Sequence, residues 1–267
     1  MATATELIAK LADEFHSLAM RIDGETLELK IGLLRADGLE VPYTILASST
    51  GATVKAKEKS QVRLPSFCPE RHINLDGSFC LYWEGDGRLE VTDESSATVW
   101  WETLYQFLRH QERAAKLRHW PTAEGRAHGD AARFQKRAIA AAESLGSEFL
   151  DALLLGRLQV REWPKLRKNG NSTLRLYRDG EHVYSIWSNQ AQVLNRKQRC
   201  FCRRKNGKRA LPLKSCGAHA ADAANLVQAI HEWEKSEINF WNQVNGKQCC
   251  GTCDHCPLAE REDNDPA

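Results

Sequence analysis

Apolar residues recur at helical spacing at the start of the chain. Leu7, Leu11, Phe15, Leu18 and Ile22 follow Thr3-Ala4-Thr5-Glu6, the pattern of a capping box, and together predict a helix over 4–22. From Leu27 the period changes to two. Leu27, Leu29, Ile31 and Leu33 alternate with polar or small residues, which predicts a strand; Asp37-Gly38 turns the chain into a second strand over 41–47. Another turn at 48–51 leads to a short third strand near 53–57. Pro65 and Pro69 bracket a loop that cannot join a central strand, because proline lacks the N–H a ladder needs. Ser95 or Ser96 then caps a helix carrying Trp100 or Trp101, Leu104 and Leu108, ended by Pro121 and Gly125. Further helices are predicted over 129–145, near 147–156 and near 219–242, with a hairpin over 173–187 turning at Asp179-Gly180. The pattern is α+β, with a soft domain boundary near 157–170.

Composition narrows the class. At 267 residues, 42% hydrophobic and 27% charged, the chain reads as globular and soluble, with room for one large or two modest domains. It has no apolar run near the roughly 18 residues of a membrane span, and its first 15 residues lack the basic-then-apolar order of a signal peptide. A cytoplasmic location is the expectation, and there disulfides are rare. Nine cysteines then point to metal ligands, a nucleophile or core fillers. Cys68 and Cys80 stand alone in the first third, whereas seven cysteines crowd into 200–256, so two separate sites are expected. Net charge is only +2, yet residues 196–214 carry nine basic side chains and no acidic one, and the tail over 260–265 is acidic.

The stretch Arg71-His72-Ile73-Asn74-Leu75-Asp76-Gly77-Ser78-Phe79-Cys80-Leu81 contains a tight turn at Asp76-Gly77, then re-enters a core through Phe79, Leu81 and Trp83. Cys80 therefore sits where an irregular loop meets packed structure. On its own it reads first as a small buried hydrophobe and only second as a reactive thiol; His72, Asn74, Gly77 and the order of elements reverse that ranking. A metal shared by Cys68, His72 and Cys80 is a further reading, but it lacks a fourth ligand. Cys68 itself reads as packing.

Helix, meander, proline-bearing loop, His-x-Asn, Gly-x-x-Cys-Leu and a tryptophan-led helix, in that order, resemble the ubiquitin-conjugating (UBC) enzymes. The family's His-Pro-Asn is here His72-Ile73-Asn74, and its Gly-x-x-Cys-Leu is Gly77 to Leu81. Two departures stand out: isoleucine replaces proline, and Cys80 follows Asn74 by six residues where about eight are usual. The fourth strand is reduced to something like Gln61–Leu64. This compact form is similar to the bacterial conjugating-like proteins of conjugation and antiviral operons. The resemblance covers about residues 1–145. It implies a UBC-like fold in which Cys80 takes a ubiquitin-like protein from an activating enzyme as a thioester and passes it to an amine on a target protein. By the same resemblance Asn74 donates to the oxyanion and His72 fixes the loop. Ile73 and the short loop leave room for the alternative of a catalytically inactive adaptor on the same fold.

The second group has its own logic. Cys250, Cys253 and Cys256 lie at C-x-x-C spacing with Cys249 beside them, while Cys200, Cys202 and Cys216 lie upstream. Structural zinc takes four sulfur or nitrogen ligands in a tetrahedron. Seven thiols exceed one such site, and two sites would need shared thiols or His219, His231 or His255. Zinc is the expected metal; Pro257 after the last cysteine also suits an iron–sulfur cluster. The basic stretch over 196–214 suits a nucleic-acid phosphate or an acidic partner. The predicted organisation is a UBC-like domain over 1–160, a cysteine-rich metal-binding region over 161–259 and a disordered acidic tail over 260–267.

Overall fold

The computed structural model describes residues 2–82, 89–123, 125–163, 172–189, 191–195, 197–202 and 210–262. The chain forms two compact units. Met1–Pro121 and Val244–Ala267 make the first, and Thr122–Gln243 makes the second. The final segment thus returns to the unit in which the chain begins, a division that differs from the boundary near 157–170 suggested by composition. Trp83 and most of the acidic tail lie outside the described residues.

In the first unit, α1 (Ala4–Leu11) opens with the expected capping box between Thr3 and Glu6. The predicted helix over 4–22 ends early. A 3-10 turn covers Ala12–Phe15, His16 takes a left-handed φ of 49°, and Ser17–Arg21 become strand β1. The ladder explains the switch: β1 pairs antiparallel with β2 (Thr26–Leu34) from Ser17↔Ile31 to Arg21↔Leu27, giving its backbone groups partners outside any helix. Leu18 and Ile22 are 62% and 54% exposed, so the apolar spacing that suggested a longer helix does not mark a buried face.

Strands β3 (Glu40–Thr50) and β4 (Thr53–Glu58) complete a four-stranded antiparallel sheet in the order β1-β2-β3-β4. Leu27, Leu29, Ile31 and Leu33 of β2 all turn inward, as their alternation predicts. Helix α2 (Glu94–Leu117) is capped by Asp93, with Ser96 answering from the third position. It buries Trp100 and Trp101 completely, and their indole N–H groups donate to the carbonyls of Val54 (3.1 Å) and Ile8 (3.0 Å). The reduced strand expected at Gln61–Leu64 does not form. Instead the Glu58 carboxylate accepts the backbone N–H groups of Arg63 and Leu64, doing for them what a ladder would.

In the second unit, α3 (Ala131–Leu145) and α4 (Ser147–Leu154) precede a second antiparallel sheet, β5 (Leu158–Trp163), β6 (Thr173–Arg178), β7 (Glu181–Trp187) and β8 (Gln192–Val193), in that order. The β6–β7 turn uses Asp179 and Gly180 at φ 53° and 81°, the positive angles of a tight hairpin. Helix α5 (Ala220–Gln243) follows. Alanines line much of the buried faces of the two long helices, Ala138, Ala141 and Ala142 of α3 and Ala223, Ala224 and Ala229 of α5, while Phe149, Leu174, Leu176, Tyr184 and Ile186 supply larger side chains to the same core. Tyr184 crosses from the sheet and donates to the carbonyl of Ala223 at 2.8 Å. A short helix α6 (Pro257–Glu262) belongs to the first unit. Among the described residues no helix is long and apolar enough to cross a membrane.

Candidate active site and metal centre

The loop before Cys80 is anchored from below. Pro69–Arg71 form a single 3-10 turn whose arginine is 2% exposed. Its guanidinium Nε donates to Gln111 Oε1 on α2 at 2.8 Å, and the Gln111 amide donates back to the Arg71 carbonyl at 2.5 Å. Both groups are buried, so each would carry a desolvation cost without the other. His72 then takes a left-handed φ of 55°, and its ring packs on Trp120 with centroids 4.6 Å apart.

From His72 the chain makes a small hairpin. Asn74 N–H donates to the Ser78 carbonyl and Cys80 N–H to the His72 carbonyl, each at 2.8 Å, with Ile73 bridging Phe79 between them. Because side chains alternate across paired strands, Ile73 and Phe79 share the inward face and are 1% and 5% exposed. Cys80 lies directly across from His72, and Asn74 is one step further along the same ladder. The turn itself is made by Asp76, whose carboxylate accepts the Ser78 N–H at 2.9 Å and is held below its usual pKa by hydrogen bonds from Ser78. Gly77 supplies the positive φ of 77°.

Ile73 explains the departure from His-Pro-Asn. Its N–H donates to the Cys68 carbonyl at 3.0 Å, and the Cys68 N–H donates back at 3.1 Å. A proline could not make the first bond. The isoleucine therefore ties the hairpin to the strand-like residue that precedes it.

Cys80 is exposed, whereas Cys68 is buried. The surrounding chain nonetheless desolvates the Cys80 thiolate and pushes its pKa up. Its Sγ points toward the Tyr82 carbonyl at 3.7 Å. The Asn74 side chain is exposed, and one of its two amide N–H groups donates to Ser78 Oγ at 3.1 Å.

The seven later cysteines gather in two places. In the second unit, Cys200, Cys202, Cys216 and His219 bring their ligand atoms within 4.8 Å of one another. His219 Nδ1 is 3.2 Å from the Cys200 sulfur and 3.5 Å from that of Cys216. Backbone N–H groups of Cys202, and of Ala218 and His219, point at the sulfurs of Cys200 and Cys216 respectively. Such bonds favour thiolate over thiol. Burial raises the Cys216 pKa, but the hydrogen bonds from Cys200 and His219 outweigh it and bring the thiol down to about 6. Cys200 is pushed up to about 12, first by burial. Sulfurs around a tetrahedral zinc with bonds of about 2.3 Å stand about 3.8 Å apart, so three thiols and one imidazole at this spacing fit a structural metal. The imidazole was within reach of sequence reasoning as one option among three; His231 instead faces Glu162 at 3.9 Å.

Cys249, Cys250, Cys253 and Cys256 lie in the first unit, and there they meet Cys68. The Cys250 and Cys68 sulfurs are 3.0 Å apart, and Cys68 also interacts with Cys253. Cys68 is thus not a mere filler of space. A metal shared by Cys68, His72 and Cys80 has no support here, since the Cys68 sulfur is engaged elsewhere. Six of the nine basic residues over 196–214, Arg196 and the five within 203–209, lie outside the described residues.

Comparison with known proteins divides the chain between residues 122 and 127, and places residues 244–258 with the second stretch although they fold into the first unit. Residues 15–122 match the family model described as "Prokaryotic E2 domain", and residues 127–258 match that described as "Cysteine-rich domain, C-terminal to E2 domain". No curated protein and no solved structure matches the chain.

Proposed function

Since the chain belongs to the prokaryotic E2 proteins that carry a cysteine-rich C-terminal domain, we propose that it is a conjugating transferase whose acceptor is Cys80. The observation that carries the reading is the hairpin: it presents an exposed thiol across from His72, with Asn74 next on the same ladder. In the first step the Cys80 sulfur attacks the thioester carbonyl that joins a ubiquitin-like protein to its activating enzyme. A new C–S bond forms, the old one breaks, and the Cys80 proton passes to the departing thiolate. In the second step an amine on a target attacks the Cys80 thioester, an amide forms as the C–S bond breaks, and the proton the amine loses goes to the leaving Cys80 sulfur. The second N–H of Asn74 is available to the oxyanion of that step, and such donors are worth about 3–4 kcal/mol. His72 holds the loop through its backbone carbonyl and its packing on Trp120 rather than as a base. A raised thiol pKa keeps Cys80 protonated and quiet until the activating enzyme presents the carbonyl.

In the second unit the same reading assigns zinc to Cys200, Cys202, Cys216 and His219, as a staple for the segment that leads into α5. The partners are a ubiquitin-like protein, its activating enzyme and a protein target; an antiviral setting suits such a set. The test is incubation of the full chain with an activating enzyme, its ubiquitin-like protein and ATP. A reductant-sensitive adduct should form and should vanish in Cys80→Ala. Modifier still attached to Cys80→Ala on non-reducing gels would sink the assignment, and no adduct with any activating pair would favour the inactive adaptor.

A further inference from the structure

We propose that Cys68 of the E2 domain, together with Cys250 and Cys253 of the returning C-terminal segment, binds a second metal ion that fastens that segment beneath the active-site hairpin. Cys68 lies in the stretch matched as an E2 domain and outside the stretch matched as cysteine-rich. The inference therefore assigns a ligand that the domain descriptions do not.

Three observations meet here. First, thiols from positions more than 180 residues apart converge on one place: the Cys68 and Cys250 sulfurs are 3.0 Å apart and Cys253 interacts with the same sulfur. Cys68 and Cys253 are 1% and 5% exposed, so the cluster is shielded from solvent. Second, the segment bends as a metal knuckle does. The Gly251 N–H points at the Cys249 sulfur at 3.4 Å, the Thr252 N–H at that of Cys250, and the Leu258 and Ala259 N–H groups at that of Cys256. Gly251 supplies the positive φ of 67° that the bend requires. Third, the surroundings suit an anionic thiolate cluster. The buried Arg71 guanidinium lies close enough to Cys250 and Cys253 to act on their charge. Arg118, the last residue of the α2 cap, bonds Asp254 at 2.6 Å and the Gly251 carbonyl at 3.2 Å, holding the knuckle in place. Cys249 and Cys256 interact with each other in the same segment, and the proposed fourth ligand comes from that pair.

The site reaches the chemistry through one residue. Cys68 exchanges both backbone hydrogen bonds with Ile73, the middle of His72-Ile73-Asn74. A metal on the Cys68 sulfur fixes the strand against which the hairpin registers.

The experiment counts metal on the full chain, purified under reductant and reconstituted with zinc. Two equivalents are expected in the unaltered protein. Cys68→Ser and Cys253→Ser should each lose one equivalent and keep the other, and Cys216→Ser should lose the complementary one. Cobalt substitution separates the sites by colour, because sulfur-to-cobalt bands of a thiolate-only site should disappear in Cys68→Ser and persist in Cys216→Ser. Cys250→Ser, at a half-exposed position, serves if the buried variants fail to fold. A single equivalent in the unaltered chain would overturn the proposal, as would two equivalents retained in Cys68→Ser. So would a Cys68–Cys250 disulfide peptide from protein that binds one metal. None of these readouts depends on Cys80, so the transferase reading stands or falls separately.

Discussion

Both units set a 24-residue helix beside a four-stranded antiparallel sheet, yet they are held together in different ways. In the first, α2 delivers two fully buried tryptophans whose N–H groups are satisfied by main-chain carbonyls. In the second, α3 and α5 meet through alanines, and a group of three thiols and an imidazole stands just before α5. Large side chains bury enough apolar surface to offset the entropy of ordering the chain around them. Small ones allow close helix approach but leave less area between those helices. The contrast places the exposed Cys80 thiol in the unit with the large buried side chains, whose packing gives its loop a stiff floor.

The strongest challenge to that contrast is Trp101→Ala. Removing a fully buried indole should cost the first unit about 3–5 kcal/mol, and urea denaturation followed by signals from each unit should show the loss there, with the second unit little changed. Equal loss in both would mean the units are not energetically distinct. A chemical cut comes next. Asn74→Ala should slow discharge to an amine by about a hundredfold while loading falls much less, measured in single-turnover reactions; equal slowing would make Asn74 a structural residue. Ile73→Pro restores the ubiquitin-conjugating enzyme motif but deletes the N–H that meets Cys68, so it should cost about 1–3 kcal/mol by the same denaturation measurement. A more stable Ile73→Pro protein would show that the bond contributes nothing. The mildest effect is a pH profile. Desolvation holds the Cys80 pKa above its ordinary value, and only the thiolate reacts. Alkylation of Cys80, followed by peptide mass, should therefore be slow near neutrality and still be climbing at pH 9. A plateau below pH 8 would contradict the direction of the shift.

The meander was legible because a period of two survives in every strand that faces the core, as in Leu27 to Leu33. β1 was not, because its apolar residues face outward and happen to extend the spacing of α1; only the pairing with β2 reveals it. β5 is likewise visible only once its partner is known. Gly77, Cys80 and Leu81 could be read from local motif alone. The grouping of the cysteines could not, since spacing along the chain places Cys250 with Cys216 and says nothing of Cys68. Proximity across 182 positions is a tertiary fact. The role of Ile73 was hidden for the same reason: a backbone N–H carries no signature in sequence, and its value depends on which carbonyl stands opposite.

The return of residues 244–267 to the first unit also sets an order of events during synthesis. A ribosome adds about 5–20 residues per second, so the whole of Thr122–Gln243 must be made before the last piece of the first unit exists. For a period on the order of ten seconds the residues of the tryptophan core and of the Cys80 hairpin have been made and Cys250 has not. A chain interrupted by a premature stop after the second unit would never pass that point. The segment that meets Cys68 thus reaches the strand beside the Cys80 hairpin only after Thr122–Gln243 have been made.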